Sequence, residues 1–324
     1  MTITDKTGEP LLHRAPPPDQ KDPARPEIDR SVLRKILIDG APQESIKWGH
    51  AFVSATPVEG TKEWEVVFEN GEKTVVDLLV GADGARSRVR PLVSDTQIEY
   101  TGIGGAEVSF GPDVGAAHPE LMARIGNGSV MALDGGSMLG AQLNGDGRVR
   151  TYAWTRLDEG TALRLPTEPA AAIAFILSHF EGWAPWLRQL VELADHRAIY
   201  PRPLYKLPTG HSWAHRAGVT LLGDAMSLMS PFAGQGANIA MYAGWQLGLA
   251  LAGAGNETPE ELDAAVAKYE EEVRKIYTAS QELSEANLGR AMGPNGAKAL
   301  IKWIEDMIAA AAVAGAKNAE QEVE

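Results

Sequence analysis

The sequence predicts an α/β (α+β) fold, with strands that lead into helices, a mixed β-sheet and a helical C-terminal part. Two apolar strands, in VVDLLVGADG and VTLLGDAM, each end in glycine and aspartate and then lead toward a helical pattern. Residues 98–156 alternate apolar and polar side chains between glycine-rich turns, as the strands of a sheet do. Helical signals dominate from Thr258 onward.

The first 26 residues predict a proline-rich lead-in, without a helix or a central strand. Proline lacks the backbone N–H that helices and central strands use, so a segment with many prolines cannot propagate either one. These prolines are Pro10, Pro16, Pro17, Pro18, Pro23 and Pro26. We therefore expect an extended chain that leads into the first helix.

The first helix is predicted to begin at Asp29 and to end near Gly40. Its apolar residues, which share one side of a helix, are Val32, Leu33, Ile36 and Leu37. Arg30 and Arg34 lie four residues apart, so they share another face of the same helix.

Period-two alternation returns over residues 46–80, where Asn70 and Gly71 mark the turn of a β-hairpin. After the strand-rich region, helices are predicted at about 168–179 and 183–195. Strands are expected again over the segment that precedes Gly223.

Three helices are predicted in the remaining chain. Residues 236–251 are apolar nearly all round, which indicates a buried helix. Thr258 and Glu261 form a capping box, with proline at the first helical position between them. The predicted inner face of that helix comprises Leu262, Val266, Tyr269, Val273 and Ile276. A last helix is expected at about 297–314.

The composition excludes several classes of function. The formal net charge of −13 repels nucleic acid and anionic membrane surfaces. The chain has no cysteine, so disulfides, thiolate metal sites and cysteine nucleophiles are excluded. We see neither a signal peptide nor an apolar run long enough to span a membrane. The sequence thus predicts a soluble, cytoplasmic protein that binds neither nucleic acid nor membrane.

The stretch LLGDAMSLMSPFAGQGAN carries the most specific chemical signal. Ligands of open α/β sheets bind just outside the carboxyl ends of strands, so Asp224 is placed to accept hydrogen bonds from a polyol such as a ribityl chain. Residues 231–238 form a loop with small side chains that enters a helix, where backbone N–H groups stabilise negative charge. A reduced flavin carries such a charge. The alternative is a plain strand-turn-helix crossover, in which the glycines only permit tight packing.

The second signal is GADGARSRVR, in which an apolar strand ends before a predicted helix that begins near Ser87. Arg86, Arg88 and Arg90 place three positive charges within five residues of an acidic chain. Phosphate is the natural partner of such a cluster. The alternative is a helix start with solvated arginines.

These segments resemble the FAD-dependent aromatic hydroxylase family, the group A flavoprotein monooxygenases, and most closely its tetracycline-modifying members. RPEIDRSVLRKIL resembles the FAD-contacting helix of the family, GADGARSRVR its Asp-Gly motif, and LLGDAMSLMSPFAGQGAN its Gly-Asp motif and flavin loop. The resemblance implies FAD as cofactor, NAD(P)H as reductant, and hydroxylation of a small aromatic or polyketide-like substrate with O₂. The cofactor-binding residues that it implies are Arg30, Arg34, Asp83, Gly84, Arg86, Gly223, Asp224, Pro231, Gly234, Gln235, Gly236, Ala237 and Asn238.

The family opens with a strand, a GxGxxG turn and a helix, and this sequence has no such unit. We therefore expect an incomplete FAD-binding Rossmann-like domain over 27–95 and 198–256, which retains FAD weakly. A substrate-binding β-sheet domain is expected over 96–197 and C-terminal helices over 257–324. Strands left without their neighbours would expose an apolar edge, so self-association through the exposed sheet region is expected.

The sequence identifies no general base and no metal site. His211 and His215 have the spacing of helical metal ligands, but Gly210 and the strand that follows indicate a loop. Glu107 has no partner that the sequence identifies. Two alternatives to the monooxygenase stay open: a flavin oxidoreductase of another reaction type, and an inactive fragment that acts only with a partner.

Overall fold

A computed structural model describes residues 1–14, 28–254 and 258–321. Its strands are β1 (Thr2–Thr4), β2 (Pro10–His13), β3 (Phe52–Pro57), β4 (Trp64–Phe68), β5 (Lys73–Val76), β6 (Leu79–Gly81), β7 (Glu99–Tyr100), β8 (Ile103–Phe110), β9 (Ser129–Asp134), β10 (Ser137–Leu143), β11 (Val149–Arg156), β12 (Ile199–Pro201), β13 (Tyr205–Lys206) and β14 (Val219–Leu221). Its α-helices are α1 (Arg30–Gly40), α2 (Pro112–Ala117), α3 (Pro119–Ile125), α4 (Glu159–Ala162), α5 (Pro169–Ser178), α6 (Pro185–Glu192), α7 (Asp224–Ser227), α8 (Gly236–Ala254), α9 (Pro259–Ala291) and α10 (Gly296–Gln321). The predicted α/β (α+β) class is confirmed.

The chain divides into two compact units, each built from separate segments. The sheet unit comprises Met1–Lys35, Gly102–Pro203 and Leu288–Glu324, and the motif unit comprises Ile36–Thr101 and Leu204–Asn287. Both glycine-aspartate motifs belong to the motif unit. The FAD-binding role expected for 27–95 and 198–256 and the substrate-binding role expected for 96–197 stay predictions.

The sheet unit is organised around seven strands in the order β12-β8-β11-β10-β9-β1-β2. Strand β1 lies inside this sheet, parallel to β9 and antiparallel to β2. The expectation of a lead-in without a central strand is therefore wrong for the first residues: Thr2–Thr4 has no proline and can pair on both edges. Residues 15–27, which include most of the quoted prolines and Arg25, lie outside the described residues.

One face of this sheet is buried under helices α5 and α6. Val108 and Leu139 from the strands pack in one apolar cluster with Ile176 and Leu187 from these helices. The two helices therefore agree with the sequence prediction. Helices α2 and α3 were not predicted, although each begins with a proline at its first position, a common helix start.

In the motif unit, the predicted hairpin is confirmed as β4 and β5, and β3 extends it to three strands. The turn is held because the Gly71 amide donates to the Phe68 carbonyl at 3.0 Å. The Asn70 side chain accepts from the Glu72 amide at 2.9 Å. Strands β6 and β14 form a separate parallel pair.

The capping box of α9 is confirmed: the Thr258 hydroxyl accepts from the Glu261 amide at 3.2 Å. The buried face of this helix, however, contains Tyr277 rather than the predicted Ile276, which is 39% exposed. Positions spaced by three and four residues share a helix face, so either residue could follow Val273 inward. The larger aromatic side chain occupies the core.

Two apolar surfaces differ from their predictions. Helix α8 was expected to be buried all round, but only Ile239, Ala243 and Leu247 are buried, while Trp245 is 61% exposed. The apolar stripe of α1 forms as predicted, yet no α1 residue is buried. Apolar periodicity reports which face could be buried and does not supply the partner that buries it.

Candidate functional site

Strands β6 and β14 bring the two glycine-aspartate motifs to one edge. The strands are parallel, with Gly81 paired to Leu221, so their carboxyl ends coincide. The Leu222 amide extends the pairing by donating to the Gly81 carbonyl at 3.0 Å. Asp83 and Asp224 therefore follow adjacent strand ends, the position at which α/β sheets bind ligands.

Asp83 opens a tight turn in the first motif. One of its carboxylate oxygens accepts from the Arg88 amide at 2.7 Å, and Gly84 follows inside that turn. Arg86 is exposed and lies above the ring of Tyr205, with 5.3 Å between the guanidinium carbon and the ring centroid. Asp83 and Arg86 thus lie in one exposed segment directly after β6.

The helix predicted near Ser87 does not form. The Ser87 hydroxyl accepts from the amides of Val89 and Arg90 at 3.1 and 2.9 Å, which closes a local turn. Only a 3-10 turn, Arg90–Leu92, follows. Pro91 explains this, since proline lacks an N–H and disfavours helical backbone at the preceding residue.

The predicted phosphate cluster is wrong for Arg90, which is only 6% exposed. Its guanidinium donates to the carbonyls of Ala225 at 3.1 Å and Ala85 at 2.8 Å, so it ties the two motifs together. Burial lowers the pKa of Arg90, while the Asp83 charge acts in the opposite direction. Arg88 pairs with Glu69 at 2.9 Å.

Asp224 is exposed and begins the short helix α7, directly after Gly223. The loop that follows contains a 3-10 turn, Pro231–Ala233, and then Gly234 in the left-handed conformation with φ of 65°. A methyl group built on Gly234 or Gly236 would meet no atom within 4 Å, so the surface there is open.

The 19-residue helix α8 begins at Gly236, at the end of this open loop. The first four N–H groups of an α-helix have no partner within the helix, and the helix dipole places partial positive charge there. The remaining predicted loop residues, Pro231, Gln235, Ala237 and Asn238, are exposed. The motif unit therefore offers main-chain donors and two exposed carboxylates, Asp83 and Asp224, near a single strand edge.

Arg30 and Arg34 are exposed on α1 and belong to the sheet unit. Their contact with a cofactor stays a prediction. The two histidines considered as metal ligands do not share a site: His211 is buried against the Met226 carbonyl at 2.9 Å, while His215 lies between two carboxylates. In the part of the chain that the structure describes, no group of three or more acidic or histidine side chains is arranged to hold a metal ion.

A partly buried cluster of acidic residues and histidine in the motif unit escaped the sequence reasoning. Glu270 accepts from the Thr220 hydroxyl at 2.7 Å, from the Trp213 indole at 3.3 Å and from His215 at 2.8 Å. His215 also contacts Asp263 at 3.1 Å. These residues are far apart in sequence, and no local pattern connects them.

The sheet unit carries a second cluster that the sequence did not reveal. Glu107 of β8, which had no partner by sequence, accepts a hydrogen bond from Arg202 at 2.9 Å and forms an ion pair with Arg150 at 3.3 Å. Tyr152 pairs directly across from Glu107, and its ring stacks on Trp154 with 4.9 Å between centroids. Guanidinium groups and a stacked aromatic pair, of which Trp154 is 6% exposed, thus belong to one sheet face.

The similarity searches reveal what this architecture is related to. No family model matches the chain. The monooxygenase penA of Penicillium thymicola is 27% identical over 351 residues, which covers 94% of this chain and 80% of that protein. The structure of Klebsiella pneumoniae HpxO with FAD and uric acid matches with a TM-score of 0.70 at 22% identity, over 86% of this chain and 67% of that one. The homologues of this chain are FAD-dependent monooxygenases.

The predicted relationship to FAD-dependent monooxygenases is thereby confirmed. The tetracycline destructase Tet(55) also matches, with a TM-score of 0.66 at 19% identity, over 95% of this chain and 76% of that one. This identity is too low to carry a substrate, so that match supports the fold alone. Among the described residues, no helix has the length and apolar character that crossing a bilayer requires.

Proposed function

We propose that this protein is a FAD-dependent monooxygenase that uses NAD(P)H and O₂ to hydroxylate a small aromatic or polyketide-like substrate. The observation that carries the proposal is the parallel pair of β6 and β14. It brings both motifs to one edge, beside an open glycine loop that begins a long helix. This arrangement suits a ligand with a polyol chain and an electron-accepting ring.

The residues present fit FAD on the flavin side of the site. Asp224 is exposed and would accept hydrogen bonds from ribityl hydroxyls. Gly234 and Gly236 leave open space where side chains would otherwise stand, so the loop would lie against the isoalloxazine. Asp83 and Arg86 would serve the dinucleotide side. When bound, FAD supplies the redox and oxygen chemistry of the reaction.

The protein's own contribution is binding and electrostatics. Main-chain donors at the start of α8 would stabilise negative charge on the pyrimidine edge of the ring without a charged side chain. Because these donors belong to a loop and helix already in place, little reorganisation is needed when the charge develops.

We assign substrate binding to the sheet unit. Tyr152 and Trp154 alternate with Ala153, which lies in the core under α5 and α6, so both rings belong to the opposite face. That face suits a planar substrate, and the guanidinium groups of Arg150 and Arg202 supply donors for phenolic or carbonyl oxygens. We further propose a cytoplasmic location and self-association through exposed strands of the sheet region.

FAD titration of the purified protein is the primary test. The chain should acquire the visible absorbance of oxidised flavin, and NADPH consumption should rise with a phenolic or polyketide substrate that becomes oxygenated. NADPH oxidation without an oxygenated product would instead favour a different flavin reaction. A protein that binds no added FAD would overturn the proposal.

The residue test is Asp224→Ala. Loss of the carboxylate acceptor should weaken FAD binding by about 1–3 kcal/mol, which is about 5- to 100-fold in Kd. Asp77→Ala is the matched control, because Asp77 is an exposed aspartate before β6, at the opposite end of the strand. Equal affinities for Asp224→Ala and the unmodified protein would reject the ribityl assignment.

A further inference from the structure

Helix α9 directs buried polar side chains at the loop that precedes α8. Ser284 and Asn287 are 1% and 3% exposed and lie three residues apart, so they share one helix face. Both contact the backbone of the 3-10 turn segment between Ser230 and Phe232. Burying a polar group costs free energy unless the group is hydrogen-bonded, so these two side chains depend on their hydrogen bonds to the loop.

The hydrogen bonds at Ser284 have a defined direction. Its hydroxyl donates to the Ser230 carbonyl at 2.7 Å, and the two serine hydroxyl oxygens are 2.6 Å apart. Each hydroxyl has one proton to donate. Because the Ser284 proton is used on the carbonyl, the Ser230 hydroxyl is the donor to Ser284. The pair therefore fixes both the side chain and the backbone of Ser230.

Asn287 fixes the next turn of the loop. Its amide nitrogen donates to the Phe232 carbonyl at 3.1 Å. In a planar trans peptide the carbonyl and the following N–H point in opposite directions. With the Phe232 carbonyl held toward α9, the Ala233 N–H is directed away from α9. Pro231 has no N–H, so holding the Ser230 carbonyl redirects no donor.

We propose that Ser284 and Asn287 are positioning residues for the flavin loop, residues 231–236. Ser284 anchors the backbone at Ser230, directly before the loop, and Asn287 holds the Phe232 carbonyl against α9, so that the Ala233 N–H is turned away from α9 and toward the ring of the cofactor. The Gly234 amide completes the turn by donating to the Pro231 carbonyl at 3.0 Å. This inference rests on the proposed function, because it names the residues that shape the same site.

Gln281 provides a matched control on the same helix face. It is also 3% exposed and lies three residues before Ser284. Its side-chain oxygen accepts from the Gly210 amide at 3.0 Å, in a different loop. Gln281→Ala should therefore remove a comparable buried hydrogen bond and lower stability without acting on residues 231–236.

The experiment compares Ser284→Ala, Asn287→Ala and Gln281→Ala in the full chain. Two measurements are made: amide hydrogen exchange over residues 233–236 without FAD, and the Kd for FAD by titration. Each loop variant should accelerate exchange and raise Kd by about 3- to 10-fold, as expected for one buried hydrogen bond. Gln281→Ala should leave both unchanged while it lowers the thermal midpoint.

The outcomes separate the two proposals. If all three variants raise Kd equally, the effect is general destabilisation and the positioning role is overturned. It is also overturned if Asn287→Ala changes neither exchange nor Kd. If the unmodified chain binds no FAD, the proposed function fails, and the exchange rates of the FAD-free variants still decide whether Ser284 and Asn287 hold the loop. Ser284→Cys, which keeps the side-chain volume and a weak donor, should fall between Ser284→Ala and the unmodified protein.

Discussion

Replacing Glu270 should destabilise the motif unit by an amount that depends on which of its interactions is lost. In Glu270→Ala, the buried Thr220 hydroxyl loses its acceptor at 2.7 Å, which costs about 1–3 kcal/mol. The longer Trp213 contact at 3.3 Å adds about 0.5 kcal/mol. His215 is 28% exposed, so water replaces part of its lost contact and the cost there is below about 1 kcal/mol. We expect about 2–4 kcal/mol in all.

Glu270→Gln separates the hydrogen bonds from the charge. The amide keeps an oxygen that can accept from Thr220, but it removes the negative charge beside His215. The expected loss is about 1 kcal/mol. The difference in unfolding free energy between Glu270→Ala and Glu270→Gln therefore measures the acceptor for the Thr220 hydroxyl, which only the alanine variant lacks.

The negative charge of Glu270 beside His215 also predicts that the unfolding free energy depends on pH. Burial alone would lower the pKa of His215, but its hydrogen bonds to Glu270 and Asp263 outweigh burial, so the pKa is raised. A raised folded-state pKa gives stability that is fully present below the unfolded-state pKa and is lost as pH rises through the folded-state value. Burial raises the pKa of Asp263, but its contacts with Lys62 and His215 outweigh burial, so the pKa is lowered. The Asp263 carboxylate therefore stays charged over the pH range in which His215 titrates.

Urea unfolding of the unmodified protein, Glu270→Gln and Glu270→Ala at about pH 6 and about pH 8 provides the assay. The gap in unfolding free energy between the unmodified protein and Glu270→Gln should shrink as the pH rises. A gap that grows with pH, or a glutamine variant as unstable as the alanine variant, would refute the reasoning.

Two further predictions concern the motif unit. Gly218→Ala should destabilise the protein by more than about 2 kcal/mol in urea unfolding. The reason is that φ is +71° and a methyl group would overlap the Lys62 carbonyl and come within 2.9 Å of the Trp64 indole. An unchanged unfolding midpoint would contradict this close packing around Gly218. Trp245→Ser, on the exposed face of α8, should change unfolding free energy by less than about 0.5 kcal/mol, and a larger loss would show that this face is covered.

Local signals in the sequence predicted local structure well. The Asn70-Gly71 turn, the Thr258 capping box and the aspartate after each apolar strand depend on neighbouring residues alone, and the structure contains all of them. The parallel pairing of β6 and β14 was not predicted; it places both strand ends at one edge, where α/β sheets bind ligands.

Features that depend on contacts between residues far apart in the sequence were not predicted. Strand β1 has three residues and lies inside the sheet, rather than at its edge, only through β9, more than a hundred residues later. Arg90 looks like a solvated arginine until the Ala225 carbonyl is placed beside it. Ser284 and Asn287 lie within a helical pattern that gives no indication of the loop they hold. The helix at Ser87 failed for a local reason, the effect of Pro91 on the preceding residue, which outweighed the apparent helix start.

The segmented build of the sheet unit sets an order for its assembly during synthesis. Strands β1 and β2 are synthesised well before β9, which β1 needs on its other edge, and α10, which packs on β1 and β9, follows later still. Until then β1 has an unpaired edge that can attract other chains. The nascent polypeptide can complete the motif unit once Asn287 has emerged, before α10 of the sheet unit is synthesised, so the sheet unit is the part more exposed to misassembly.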